Sequence, residues 1–583
     1  MVWELLKQLN NIVAKPIVNR KTTFVSLSIL LFLPELFMVV EHDRWNLLTT
    51  HLLNNYLLDL FFSYVCCTII EGGKCIGRYV EVLFCVIINL IVLSFSFGNL
   101  FLIKVYHTQI NAFILQLIFE TNTREASDFV QTFFFTFETG RIIILYCAYY
   151  LLLLLSYYIS KEKLWLKTIQ YLKSVSMILF VSILILNLYN HRAFFSNDYF
   201  QAEIIGRDKP IHDNLLWNLY QGYSQFVENQ SVFEECANSN GSIAIDSCLF
   251  QSSNIVVIIG ESFNRHHSSL YGYSMQTNPR LSQEPNLYVF TDVITSVNLT
   301  SEAFKNFLSC SNLIDTMKWN QSPLFPAVFK RAGYNVVFYS NQFIPSANMS
   351  VWNADAGFFN HPSVAPLLFN HRNTIGFMYD EELVDYYKQN RDSIEEEDKN
   401  LIIFHLTGQH LDPVNTFPSG RDFIKANDVL RPELDEKARQ QIANYDNSTI
   451  YNDSVVSVII DMYREKDAIV LYFADHGDEA NDFRLHVGRA FDFESAGDPC
   501  IHNQFDIPFL IYISEQYKEN HPDIVHRIEE SVNNPFMTDK LPHLLFDIAG
   551  IFGPFYYPKR SLINSEYVPS IRKTRSFVYD QEK

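Results

Sequence analysis

Asn254-Ile-Val-Val-Ile-Ile-Gly260 runs straight into Glu261, and Asp467-Ala-Ile-Val-Leu-Tyr-Phe-Ala474 runs straight into Asp475-His476-Gly477. Short continuous apolar runs of this kind, rich in β-branched residues and closed by polar ones, read as strands buried on both faces of a parallel sheet. Ligands bind open α/β sheets at the carboxyl ends of strands, so the two carboxylates and the imidazole that close these runs stand where chemistry is expected. Further runs at Asn335–Tyr339, Leu401–Leu406 and Ile507–Ile513 alternate with amphipathic stretches. The alternation predicts an α/β domain whose central sheet is mostly parallel and covered by helices.

At 583 residues the chain exceeds the usual size of one domain. Its charge is divided: residues 1–190 carry 14 Lys/Arg against 12 Asp/Glu, and residues 191–583 carry 31 against 52. The first part reads as membrane-embedded, the last as a soluble acidic domain over 251–583, with a polar, aromatic linker over 191–250. Five apolar stretches, Thr22–Val40, Leu52–Ile70, Tyr79–Ile103, Ile142–Ile159 and Val175–Leu188, mostly approach the ~20 residues that cross hydrocarbon, the last being the shortest. Lys and Arg gather at Lys7, Lys15, Arg20 and Lys21, at Lys74 and Arg78, and at Lys161, Lys163, Lys167 and Lys173. By the positive-inside rule the amino terminus is cytoplasmic and five crossings put residues 191–583 outside. Between the third and fourth stretches, Phe113, Ile114, Leu117 and Ile118 recur at helical spacing, which predicts an amphipathic helix on the outer membrane face. Four cysteines, Cys236, Cys248, Cys310 and Cys500, fall in the outer part, an even number that permits disulfides there; Cys236 with Cys248 is the preferred pair and Cys310 with Cys500 the second.

Thr300 opens a run, Thr300-Ser-Glu-Ala-Phe-Lys-Asn-Phe-Leu308, with Ala303, Phe304, Phe307 and Leu308 on one helical face. Threonine is a common N-cap, and taken alone that is the better reading. A helix start also offers free N–H groups and partial positive charge to a phosphate. A threonine hydroxyl attacks at neutral pH only with a base or cation to stabilise the alkoxide. Glu261, Asp475 and His476 supply two carboxylates and one imidazole, the donor set of a catalytic zinc that keeps its fourth position for Thr300. His405 alternates inside the run Leu401–Leu406 and reads as a buried structural residue. His410 and His486 are candidates to hold a substrate phosphate, protonate a leaving group or bind a second metal.

These residues and their neighbours carry a resemblance. Glu261-Ser-Phe-Asn-Arg265, Ser269-Leu-Tyr-Gly-Tyr273, Thr277-Asn-Pro279, Asn341-Gln342, Gly408-Gln-His410, Tyr445-Asp-Asn-Ser448 and Asp475-His-Gly477 together resemble the phosphoethanolamine transferases of Gram-negative inner membranes, in the alkaline phosphatase and sulfatase superfamily. The resemblance covers nearly the whole chain. It implies a five-helix transmembrane bundle followed by an alkaline phosphatase-like periplasmic domain, with zinc held by Glu261, Thr300, Asp475 and His476 and with His410 and His486 at the head group. It also implies a two-step reaction in which phosphatidylethanolamine loads Thr300, releasing diacylglycerol, and a cell-envelope glycan then takes the phosphoethanolamine. Thr121-Asn-Thr-Arg-Glu125 is similar to the family's lipid-binding stretch, so Thr121 and Glu125 are expected to hold the donor ammonium, whereas a neighbouring Asn of lipid A-directed members falls at Leu117. The context Asn298-Leu-Thr-Ser-Glu302 and the few outer cysteines look closer to members that modify lipopolysaccharide core heptose.

The nearest rival enzyme is a phosphoglycerol transferase of the lipoteichoic acid synthase kind, against which the Thr121–Glu125 and Gly408–His410 motifs argue. A sulfatase activity needs Cys or Ser in a Cys/Ser-x-Pro-x-Arg motif, which the nucleophile position does not offer. A membrane-anchored binding module with a degenerate site is the non-catalytic alternative, disfavoured because all four metal-site groups are present. Net charge −21 over residues 191–583 makes nucleic acid an unsuitable partner. Attraction for phosphorylated glycans must be local, from zinc, histidines and side chains such as Arg265, because charge further off than ~8 Å is screened.

Overall fold

A computed structural model of the chain describes residues 14–41, 51–106, 136–159, 232–343, 360–395, 398–410, 412–484, 487–489, 498–574 and 577–582. The chain divides into two compact units, with the described residues up to Ile159 in the first and those from 232 onward in the second.

The first unit contains α1 (Lys21–Glu41), α2 (His51–Ile76), α3 (Arg78–Tyr106) and α4 (Phe137–Ile159). These match the first four apolar stretches. Polar groups inside the unit are spent on one another: Ser96 pairs with the Tyr146 hydroxyl at 2.7 Å and with the Leu30 carbonyl, and the Tyr149 hydroxyl donates to the Ser26 carbonyl at 3.0 Å. Arg20 reaches both Glu71 and Glu81, closing the ends of α2 and α3 with one guanidinium. Among the described residues one helix, Arg78–Lys104, is long and apolar enough to cross a membrane. Of the five expected spans, four stretches are thus helical among the described residues and one of them meets the length and hydropathy of a crossing helix. Val175–Leu188, the amphipathic segment with Leu117, Thr121 and Glu125, and most of the 191–250 linker lie outside the described residues.

In the second unit seven strands form one sheet: β1 (Asn254–Gly260), β2 (Leu287–Val289), β3 (Asn335–Ser340), β4 (His371–Arg372), β5 (Asn400–His405), β6 (Ala468–Ala474) and β7 (Phe509–Ile513), in the spatial order β2-β7-β6-β1-β5-β3-β4. The predicted strands are all present within two residues of their expected ends. From β4 to β6 neighbouring strands run parallel, whereas β7 lies antiparallel to both β6 and β2. The sheet is thus mixed, a refinement of the mostly parallel expectation. The short helix at Cys500–Phe505 leads into β7 opposite the end of β6, Phe509 facing Phe473, so β7 enters the sheet at the carboxyl end of β6 and runs back along it.

The central strands β1, β3, β5, β6 and β7 are buried along their whole length, as their unbroken apolar runs require. Register matters more than length. In the β1–β6 ladder Gly260 lies opposite Ala474, so Glu261 and Asp475 leave the sheet side by side, and the Asp475 N–H donates to the Gly260 carbonyl at 3.0 Å. A nine-residue helix, α5 (Thr300–Leu308), and a 28-residue helix, α8 (Glu436–Tyr463), complete the surroundings; between them in sequence are α6 (Phe325–Ala332) and α7 (Asp380–Ile394). Asp435 caps α8 by accepting from the Ala438 N–H at 2.7 Å.

All nine cysteines are free thiols, which corrects both expected disulfides. Closeness in sequence did not bring Cys236 to Cys248: the first is buried on the helix at 232–241, where its thiol takes a contact from Asn240 Nδ2 at 3.5 Å, and the second sits in a two-residue strand paired with Ile551–Phe552. Cys310 lies just past α5, and Cys500 opens its own short helix beside Glu479.

Candidate active site

The sequence leaves Thr300 two roles, helix cap or nucleophile, and the geometry separates them. Leu299, in extended conformation, is the N-cap of α5 and makes no side-chain cap; Thr300 is the first helical residue. Its hydroxyl instead lies 3.1 Å from both Glu261 oxygens and 3.3 Å from His476 Nε2. The first intrahelical bond of α5 is Ala303 N–H to Leu299 carbonyl, so the N–H groups of the residues before it make no such bond and face the start of the helix.

Glu261, Asp475 and His476 are completely buried, and one donor atom from each lies within 4.8 Å of the others. Backbone bonds aim them. The N–H groups of Ser262 and His476 hold Asp475 Oδ1 at 3.1 and 2.7 Å, which turns Oδ2 toward the cluster, where it has no hydrogen bond. His476 Nδ1 faces the Gly477 carbonyl at 2.9 Å, an arrangement that places the proton on Nδ1 and leaves Nε2 free to ligate. Nε2 lies 3.3 Å from Glu261 and 3.5 Å from Asp475. Gly477 has no room for a side chain, because a Cβ there would stand 2.1 Å from the Asn503 carbonyl oxygen. A buried carboxylate oxygen without a partner, a second carboxylate, an oriented imidazole and a hydroxyl are a donor set that fits zinc.

Electrostatics agrees with that fit. Burial pushes the Asp475 carboxyl up, to about 7, and the neighbouring Glu261 charge adds to the push. Burial works upward on Glu261 too, but His476, His410 and Arg489 outweigh it and hold this carboxyl well below its ordinary range. His476 is raised: the pull of Asp475 and Glu261 overcomes burial. Two carboxylates this close and this dry need a cation between them.

Some of that positive charge comes from a residue the sequence reading missed. Arg489 reaches Glu261 Oε1 at 3.2 Å and Asp478 at 3.6 Å. Gln342, next to Asn341 in the resemblance motifs, donates to Glu261 Oε2 at 3.1 Å, and the Ser262 hydroxyl donates to Oε1 at 2.9 Å. Asp478 directly follows the Asp-His-Gly motif and could have been sought by proximity, whereas Arg489 lies further along the chain and nothing in its spacing marks it. Asp380 was also missed. It accepts from the N–H groups of Thr407 and Gly408 and from Asn341, and so fixes the loop that carries His410.

His410 is half-buried and close enough to Glu261 to bear on its charge. His405 is fully buried against Phe304 and Phe343, pairs with the Ser340 hydroxyl at 3.0 Å, and is driven down to about 3 by burial, as a structural histidine should be. Arg265 is not available to a substrate as expected: it donates to Asp506 at 2.9 Å and to the Thr291 carbonyl at 2.7 Å. His486, Thr121 and Glu125 lie outside the described residues.

Comparison with known proteins gives this geometry a family. The Sulfatase family pattern matches residues 253–551. Phosphoethanolamine transferase EptC of Escherichia coli (strain K12) is 26% identical over 499 residues, 83% of each chain. Phosphoethanolamine transferase CptA of Salmonella typhimurium is 25% identical over 500 residues, again 83% of each. Among solved structures, the integral membrane protein lipooligosaccharide phosphoethanolamine transferase A from Neisseria meningitidis shares the fold, with a TM-score of 0.60 over 93% of this chain and 97% of that one at 16% identity. With the pattern running from the strand before Glu261 to beyond the strand before Asp475, the chain belongs to the sulfatase family, and its relatives are phosphoethanolamine transferases.

Proposed function

We propose that this protein transfers phosphoethanolamine from phosphatidylethanolamine to a lipopolysaccharide acceptor, core heptose in preference to lipid A, through a phosphothreonine formed at Thr300. One observation carries the reading: the Thr300 hydroxyl forgoes its helix cap and points at Glu261 and His476. Support for the group transferred comes from the relatives matched over 83% of each chain, and support for core heptose from the nucleophile context Asn298–Glu302.

Glu261, Asp475, His476 and Thr300 would hold one zinc ion in this reading, which when bound would lower the pKa of the hydroxyl and offset charge on phosphorus oxygens. Thr300 Oγ1 then attacks the donor phosphorus; the new Thr–O–P bond replaces the bond to diacylglycerol, whose oxygen leaves with the proton that Thr300 gives up. An acceptor hydroxyl reverses the exchange: its oxygen takes the phosphorus and its proton returns to Thr300. The N–H groups at the start of α5 face the transferred phosphate. His410 and His486 hold the head-group phosphate and protonate leaving oxygen, while Thr121 and Glu125 hold the donor ammonium. Residues 1–190 form a five-span inner-membrane domain, 191–250 a linker and 251–583 the periplasmic catalytic domain.

The test is the mass of the Thr300 peptide after the zinc-loaded protein has met liposomes of phosphatidylethanolamine or of phosphatidylglycerol, with no acceptor. An adduct from the first alone supports the reading. An adduct from phosphatidylglycerol alone moves the protein to the phosphoglycerol class, and none from either leaves a hydrolase, an acceptor-dependent enzyme or a binding module.

A further inference from the structure

Six residues beyond Glu261 and six beyond His476, the two loops that carry the metal-site groups meet at a second buried charge cluster that the reaction above does not use. His267, 2% exposed, sits between two carboxylates. Its Nδ1 is 2.7 Å from Asp446 Oδ1, and its Nε2 is 3.1 and 3.3 Å from the two oxygens of Asp482. The rings of Tyr273 and Tyr445 pack on it at 4.8 and 5.0 Å. The Tyr273 hydroxyl donates to Asp446 Oδ2 at 2.9 Å, and Asn503 Nδ2 bridges Asp482 and Glu479 at 3.1 and 3.0 Å. On the far side of Asp482 stands Arg431, which donates to the Asp482 carbonyl at 3.1 Å.

An ionised carboxylate can only accept, so a ring nitrogen that faces one must carry a proton: His267 holds Asp482 below its ordinary range against burial, and Asp446, which burial raises, already accepts from the Tyr273 hydroxyl at its other oxygen and takes the Nδ1 proton at 2.7 Å. We propose that His267 is a permanent imidazolium that acts as a positioning residue, an internal cation clamping the Glu261 loop and the Asp475-His476 loop to α8. Burial opposes the charge, but Asp482 and Asp446 outweigh it and hold the group up to about 10. With both nitrogens engaged, the ring has no lone pair for a metal. Its carboxylate partners reach the site through short links. Asp446 follows Tyr445, whose hydroxyl donates to the Ser262 carbonyl and accepts from the Asn264 N–H at 2.8 Å. Asp482 shares Asn503 with Glu479, and the Asn503 carbonyl is the wall against which Gly477 packs. Ser262, between Glu261 and this clamp, has φ +58°, a strained conformation that persists only where its surroundings enforce it.

The experiment uses the full chain in detergent, labelled with ¹⁵N-histidine, with His267→Gln to assign the resonance. Both His267 nitrogens are expected to remain protonated from mildly acidic to mildly alkaline pH; an unprotonated nitrogen in that range overturns the proposal. His267→Gln is expected to lower zinc affinity or kcat by about 10- to 100-fold, with KM for the lipid donor little changed. Because that variant can simply misfold, Asp482→Asn is the second arm: it keeps the shape, removes one carboxylate, and is expected to bring the imidazole's titration, and with it a loss of kcat on raising pH, into the neutral range. A wild-type pH profile in Asp482→Asn refutes the clamp. The kinetic arms rest on the transfer reading, whereas the nitrogen spectrum and zinc content report on His267 even if no transfer is found.

Discussion

At the scale of single residues, the nucleophile and the buried histidines make separable predictions. Thr300→Ala removes a hydroxyl that caps nothing and leaves three of the four zinc ligands, so the fold and most zinc binding are expected to persist while transfer falls on the order of 10⁴- to 10⁶-fold. Wild-type turnover by this variant, followed by release of diacylglycerol, would end the threonine mechanism. His405 predicts the acid side of the stability curve. Its folded pKa, about 3, lies below the unfolded value near 6.5, so the unfolded chain binds the extra proton. Stability from this residue is full above ~6.5 and is lost as pH falls toward ~3, at about 1.4 kcal/mol per pH unit. Urea titrations of the wild type and His405→Phe at descending pH check this: the variant is expected to have the shallower acid limb.

At the scale of elements, the long helix α8 braces a strained turn. Tyr445 holds both sides of Ser262-Phe-Asn264, and losing its hydroxyl leaves the buried Asn264 N–H and Ser262 carbonyl without that partner. Tyr445→Phe is expected to cost about 1–3 kcal/mol of stability. It should also lower kcat more than it changes KM for donor lipid, since Ser262 orients Glu261 and Asp475; equal stability with unchanged kcat would show that the turn holds itself. The helix start at Thr300 was readable from the run Ala303, Phe304, Phe307 and Leu308. That Leu299 rather than Thr300 would be the N-cap was not, because threonine is locally much the better cap and only the approach of Glu261 and His476 draws its hydroxyl away from that role.

At the scale of the molecule, the metal ties distant segments together. Glu261, Thr300 and Asp475-His476 come from three separate stretches, and their buried carboxylates repel one another unless a cation intervenes. Chelation of the full-length protein is therefore expected to lower the melting temperature of the catalytic unit and readdition of zinc to restore it, with about 2.7 kcal/mol recovered at a hundredfold excess over Kd. Calorimetry with and without chelator measures it; an unchanged transition would mean the cluster holds no metal that matters to the fold.

The apolar runs carried five of the sheet's seven strands, because a strand buried on both faces must be apolar throughout, and by ending where they do they also put Glu261 and Asp475-His476 at strand ends; the edge strands β2 and β4 are not fully buried and left no such run. The four described helices of the first unit were legible as long apolar runs. Strand order, the antiparallel direction of β7, the separation of Cys236 from Cys248, and the roles of Arg489, Asp478, Asp380 and His267 were not. Burial is a property each residue type prefers on its own and so is written locally. A charge pair is set by which remote segments meet, as with His267 between Asp446 and Asp482, and that meeting exists only once the chain has folded.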